Sequence, residues 1–171
     1  MPAATMDTPS RAASANRGAE KYLSFHVGPE EFALGVLSVR EIMGMQDITM
    51  VPHTPPYVKG IINLRGKVIP VVDLRLKFRM PPAEYTRRTC IIVVDVAGDG
   101  ARMLMGIVVD AVSEVLNIQP SDVETTPDFG EGVSIPYLLG IAKVKGKVKI
   151  LLDIDKVLST NELSGLDQLI S

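Results

Sequence analysis

From Tyr22 to Val27 large apolar side chains alternate with Ser24 and His26, the period-two pattern of a strand with one buried face. Gly28-Pro29-Glu30-Glu31 reads as a turn, and Phe32 to Val36 as a returning strand. Leu37, Val39, Ile42 and Met43 fall at helical spacing and Gly44 supplies a stop, which predicts a short helix over 37–43. Pro52, Pro55 and Pro56 make the stretch from Met50 to Tyr57 an extended loop. Gly60 to Leu64 and Val68 to Leu74 flank a turn at Arg65-Gly66-Lys67, and Pro81-Pro82 marks a further connection. Cys90 to Val96 is a continuous β-branched run, the pattern of a strand buried on both faces. A hairpin turn at Gly98-Asp99-Gly100 leads into the strand Arg102 to Val109.

The pattern occurs twice. Gly60 to Leu74 aligns without a gap on Gly140 to Ile154, with identity at Gly60/Gly140, Ile61/Ile141, Gly66/Gly146, Lys67/Lys147, Val68/Val148 and Asp73/Asp153. Upstream, Gly35-Val36 with Val39, Glu41 and Ile42 matches Gly106-Ile107 with Val112, Glu114 and Val115 when two extra residues are allowed. Tyr22 to Val27 matches Cys90 to Val96. A unit of about four or five short strands is the size of a small barrel, which leaves few exposed edges. The expected architecture is therefore mainly β, with two pseudo-equivalent barrels packed together, a few short helices and a groove between the lobes. Residues 1–19, with Pro2, Pro9 and few large apolar groups, read as a flexible tail. Residues 20–160 read as the folded unit, in lobes of roughly 20–88 and 89–160 with room for strand exchange, and 161–171 as a C-terminal extension.

Composition narrows the function. The chain of 171 residues is 46% hydrophobic and 22% charged, without Trp, so its core is built from aliphatic side chains. A net charge of −2 without a basic stripe argues against nucleic acid. One cysteine, Cys90, excludes an intramolecular disulfide and suits a reducing compartment. The N-terminus has no apolar signal core, and the longest apolar run, Met103 to Val109, is far short of a membrane span. Together these predict a cytoplasmic protein that does not insert into the bilayer directly.

No catalytic constellation emerges. His26 shares a strand face with Tyr22 and Ser24 and reads as a solvated histidine. His53, between Pro52 and Thr54, has no Cys or second His at metal-ligand spacing, so no metal or other cofactor is expected. Cys90 in an apolar strand reads as a small hydrophobe, with no nearby base to activate it. Gly98-Asp99-Gly100 lacks the third glycine of a dinucleotide loop, and Gly66-Lys67 and Gly146-Lys147 lack the rest of a P-loop. Asp73, Asp95, Asp110 and Asp153 sit at strand ends; the repeat relates Asp73 to Asp153, which favours a structural job accepting turn or helix-start amides. Two other readings remain open: an acid site centred on Asp73 or Asp153, and a small-molecule sensor using the groove.

The run Gly60-Ile-Ile-Asn-Leu-Arg-Gly66 followed by Val68-Ile-Pro-Val-Val-Asp-Leu-Arg75 resembles the signature of the CheW-like family of bacterial chemotaxis. Gly106 to Leu116, the segment Phe32 to Ile42, Tyr137-Leu138 with Gly140, and Lys149 to Asp153 resemble it too, in order and over roughly residues 20 to 160. The resemblance implies two SH3-like five-stranded β-barrels and a stand-alone, non-enzymatic adaptor. Its implied partners are the signalling tip of methyl-accepting chemoreceptors and the regulatory domain of the histidine kinase CheA, so that a cytoplasmic protein is recruited to membrane-associated arrays. By motif position the implied receptor-binding residues are Val39, Glu41, Ile42, Arg65, Cys90, Val112 and Val115. Gly60, Gly66 and Gly106 are expected to be structural, and the resemblance names no side chains for the kinase interface. Lys145 stands where the first repeat has Arg65, so the two lobes are not interchangeable surfaces.

Overall fold

The computed structural model describes residues 20–97, 101–124 and 137–158. The expected tail at 1–19, the turn at Gly98-Asp99-Gly100 and the extension at 161–171 lie outside the described residues. Eleven strands follow in chain order: β1 (Glu20–Val27), β2 (Glu30–Gly35), β3 (Val39–Gly44), β4 (Val58–Leu64), β5 (Lys67–Asp73), β6 (Cys90–Ala97), β7 (Arg102–Val109), β8 (Ala111–Ile118), β9 (Val123–Glu124), β10 (Leu138–Val144) and β11 (Lys147–Leu152). Two short helices, α1 (Leu74–Lys77) and α2 (Ile154–Leu158), close the two repeats.

The strands form two sheets. Sheet I has the order β9-β10-β11-β2-β1-β8, and sheet II the order β3-β6-β7-β5-β4. Both sheets cut across the boundary near residue 88. The opening hairpin β1–β2 joins the later strands, with β2 parallel to β11, while the hairpin β6–β7 joins the earlier ones, with β7 parallel to β5. Both sheets bring their edges together. Leaving edge strand β3 of sheet II, the chain pairs with the other edge, β4, through a bridge between Thr49 and Ile61. In sheet I, edge strand β8 runs through a 3-10 turn (Pro120–Asp122) into β9 at the opposite edge.

Alternation on rolled sheets produces three cores. Leu23, Phe25, Phe32 and Leu34 of sheet I meet Val72, Ile92, Val94, Met105 and Ile107 of sheet II in a central core, which α2 also covers with Val157 and Leu158. Ile62, Ile69, Val71, Ile91, Val93 and Val108 fill the inside of sheet II. Ala33, Leu116, Ile118, Ala142 and Leu151 line the inside of sheet I.

Two expectations need correction. The stretch 37–43 is not a helix; a 3-10 turn (Val36–Ser38) leads into strand β3. A bulge explains the misreading. Val39 pairs with Val94 and Glu41 with Val93, so Arg40 is an extra residue in β3. The bulge places Val39 and Ile42 on one face, which imitates helical spacing. The two-residue gap in the repeat is also wrong. Ala33 pairs with Leu151 as Gly106 pairs with Val71, so β2–β3 aligns on β7–β8 without a gap.

The expected structural glycines are strained or crowded positions. Gly60 has φ 144°, and a Cβ there would lie 2.0 Å from the Thr49 carbonyl oxygen of the edge-joining bridge. Arg65 and Gly66 both have positive φ (52° and 86°), the backbone of a type I′ hairpin, which Lys145 and Gly146 repeat. At Gly106 a Cβ would come within 2.9 Å of Ile91 Cγ2 inside sheet II.

Candidate functional site: an apolar inter-sheet strip and a charged rim

Cross-strand neighbours share a face of a sheet, so each partner shows where a side chain points. Val39 pairs with Val94 and Ile42 with Ile92, both in the central core. Val112 pairs with Phe25 and Val115 with Leu23, in the same core. Cys90, opposite Gly44, also packs there, its thiol donating to the Arg88 carbonyl. All five apolar residues therefore face the inter-sheet side. Within each pair one member is partly buried (Val39, Val112) and its neighbour is open to solvent (Ile42 44%, Val115 57% exposed). The strip runs from the core out onto the surface, on the equivalent edge strands β3 and β8.

Glu41 and Arg65 are elsewhere. Glu41 pairs with Val93, whose side chain lies inside sheet II, so it points to the inner face. There it forms a two-pronged ion pair with Arg65, the Nη1–Oε2 distance being 3.3 Å. The Arg65 hydrogen bond holds the Glu41 carboxyl below its usual range, and the carboxylate holds the guanidinium above its own. The seven residues thus form two groups, not one patch: Val39, Ile42 and Cys90 of sheet II with Val112 and Val115 of sheet I on the inter-sheet side, and Glu41 with Arg65 on the inner side of sheet II.

Around Glu41 and Arg65 is a rim that the sequence reading did not single out. Arg40 and Arg102 both converge on Asp95, through Nε contacts of 3.1 and 2.9 Å. Their hydrogen bonds hold Asp95 below its usual range. With Lys67, Leu64, Val93, Met103 and Leu104 these groups line an open depression of about 530 Å³.

Other candidate acids are engaged in structure. Asp73, buried, accepts from the Arg75 amide at the start of α1 and from the Tyr85 hydroxyl at 3.0 Å. Burial first, then the charge of Asp73, raises Tyr85 well above the ordinary phenol range. Asp153 accepts from the Lys156 amide at the start of α2, the equivalent job. Asp110 accepts from the Gly28 amide and from Arg75, and that hydrogen bond raises the guanidinium further. His53 is exposed in the proline loop. His26 is half-buried, and Ser24 beside it is fully buried, bonded to the Glu114 carbonyl at 3.2 Å; the face expected to be solvated is interior. Among the described residues no group of three or more His, Cys, Asp or Glu could hold a metal ion, and no helix is long and apolar enough to cross a membrane.

Two rolled sheets with an apolar strip leading out of their shared core define a β-sheet scaffold of the kind that holds other proteins. Comparison with known proteins makes this specific: residues 21–162 match the CheW-like domain, and the chain belongs to that family. It is 35% identical to the chemotaxis protein CheW of Klebsiella aerogenes, over 96% of both chains. It is 37% identical to CheW of Rhizobium meliloti, over 85% of this chain and 91% of that protein. The crystal structure of the scaffolding protein TtCheW from Thermoanaerobacter tengcongensis superposes with a TM-score of 0.74 at 32% identity, over 84% of this chain and 95% of the other.

Proposed function

We propose that this chain couples methyl-accepting chemoreceptors to the histidine kinase CheA, so that kinase activity follows receptor state. Membership of a family of chemotaxis scaffolds supports this reading. The observation that carries it is the apolar strip Val39, Ile42, Cys90, Val112 and Val115, which continues the central core to the surface. An apolar helix tip laid along such a strip extends the core by ordinary burial. Glu41 and Arg65 act from the inner face. Their ion pair holds the β4–β5 turn against β3, and Arg65 is left with donors to spare for a partner's polar groups.

The test is reconstitution of CheA with receptor-containing membranes. Adding the wild-type chain makes the kinase respond to receptor ligand. Val115→Asp, on an exposed position, leaves the fold intact and lowers receptor binding at least tenfold, the cost of one charge in an apolar contact. A folded Val115→Asp variant that couples normally sinks the assignment, and a wild-type chain that leaves the kinase unresponsive sinks the function.

A further inference from the structure

We propose, on the reading of the apolar strip as the receptor contact, that Arg75 and Asp110 are positioning residues: their ion pair fixes the angle between the two sheets, and so sets how the β3 half of the strip stands to the β8 half.

The chain crosses from one sheet to the other at two equivalent corners. The first leads from β2 of sheet I through the turn Val36–Ser38 into β3 of sheet II. The second, the single residue Asp110, leads from β7 of sheet II into β8 of sheet I. Each half of the strip hangs directly on a corner: Val39 is the first residue of β3, and Val112 the second of β8. The angle at which the sheets meet therefore decides whether Val39 and Ile42 stand to Val112 and Val115 at a separation that one helical tip can span.

Asp110 ties both sheets to its corner. Its amide donates to the His26 carbonyl of β1 at 2.9 Å, and its carboxylate accepts from the Gly28 amide in the β1–β2 turn at 2.8 Å. From the side of sheet II, Arg75 in α1 reaches the same carboxylate with Nε at 3.0 Å and Nη2 at 2.9 Å. Its third nitrogen, Nη1, donates to the Pro81 carbonyl at 2.9 Å, and the neighbouring Met80 lies against Gly28. A guanidinium fork of this kind fixes direction as well as distance. The central core holds the sheets together by apolar burial, which has no preferred direction. A part-exposed ion pair adds little to that cohesion, so its use lies in orientation.

The other corner is built without the fork. The alignment that sets Gly106 on Ala33 brings Leu37 to the place of Asp110, and the one that sets Val71 on Leu151 brings Asp155 to that of Arg75. Strand pairing likewise brings Ala97 to the place of Gly28. There Asp155 accepts from the Ala97 amide at 2.9 Å with nothing between them. Leu37 is 98% exposed, and its turn has no side-chain cap. A leucine cannot bridge α2 to its turn as Asp110 bridges α1, so no equivalent fork takes over when the Asp110 corner is released.

The experiment uses the full chain. Amide residual dipolar couplings report the relative orientation of sheets I and II, and co-sedimentation with receptor-containing membranes reports binding. Asp110→Asn keeps the shape of the side chain and removes its charge; Arg75→Lys keeps the charge and removes the fork. Both variants unfold as cooperatively as wild type, show the sheets turned relative to one another, and bind receptor about three- to tenfold more weakly. In a Val115→Ala background, where the β8 half is already cut back, Asp110→Asn lowers binding by a smaller factor than in the wild-type background. Unchanged sheet orientation, or unchanged binding with the sheets turned, overturns the inference. So does a binding loss of the same factor in both backgrounds, the mark of an independent contact rather than alignment of the two halves. A wild-type chain that does not bind the receptor membranes sinks the coupling function, whereas the dipolar couplings decide separately whether the pair sets the angle.

Discussion

The insides of the two rolled sheets have the same topology and opposite chemistry. In sheet II, Ile69 and Leu104 face inward among aliphatic neighbours. At the equivalent places sheet I carries Lys149 and Glu31, which form an ion pair with side chains only 4% and 13% exposed. Ser24 and Tyr22 stand where sheet II has Val93 and Ile91, and Ala142 where it has Ile62. Burial pushes the Glu31 carboxyl up, but the Lys149 hydrogen bond and charge, with help from Ser24, bring it below the ordinary value. A fold of this kind thus needs the central core and the edge-joining pattern; it tolerates either filling inside each roll. What an ion pair adds is selectivity of pairing. Hairpin β6–β7 placed against β11 would set Leu104 beside Lys149, and β1–β2 against β5 would set Glu31 beside Ile69; each leaves a buried charge alone.

The largest effect expected from breaking this contrast is in Glu31→Leu. Lys149 would remain buried without its counter-ion, at a cost of about 3–5 kcal/mol. Adding Lys149→Ile gives sheet I the residues of sheet II, and stability returns to the wild-type value or rises by about 1–4 kcal/mol. Denaturant unfolding measures both; a double variant as unstable as the single one would show that the pair is not the relevant difference. Next comes Gly106→Ala. Its Cβ would meet a stiff isoleucine at 2.9 Å, for a loss of about 1–3 kcal/mol, whereas Ala33→Gly at the matching place in sheet I costs about 1 kcal/mol or less. Equal losses would remove the argument for crowding in sheet II.

The smallest effect is the dependence on pH. Glu31 titrates lower in the folded chain than its ordinary value of 4.5, because burial is outweighed by the Lys149 hydrogen bond and charge. Its contribution is therefore complete above that value and disappears as pH falls through the depressed one, because the unfolded chain takes up the proton first. The wild-type chain loses this increment on acidification and the Glu31→Leu/Lys149→Ile variant does not. Superimposable stability profiles below pH 4.5 would contradict it.

Much of the fold was legible because hairpin alternation and turn chemistry are local. The pairs β4–β5 and β10–β11, with their Arg65-Gly66 and Lys145-Gly146 turns, could be read from residues next to one another. β3 was not, since one bulged residue, Arg40, shifts the phase of its pattern. Ser24 and His26 were misplaced because their face is buried by strands far along the chain. A signal for the Lys149 pair was present: the gapless repeat sets Lys149 on Ile69, a polar residue at an interior position. Its partner could be found only by setting Glu31 on Leu104, which the mistaken gap concealed. The site was legible by motif, but its division between the inter-sheet side and the inner side of sheet II depends on strand register, which no single segment encodes.

The crossed connectivity has a consequence for the making of the molecule. Hairpin β1–β2 leaves the ribosome well before β11, against which it completes its sheet, and Glu31 waits for a lysine 118 positions later. The strands of sheet II are all present once Val109 has been made, whereas sheet I waits for β11 and the central core for α2. Contacts of such long sequence separation make folding slow, and they make a chain cut near its middle two fragments that depend on each other, rather than two domains.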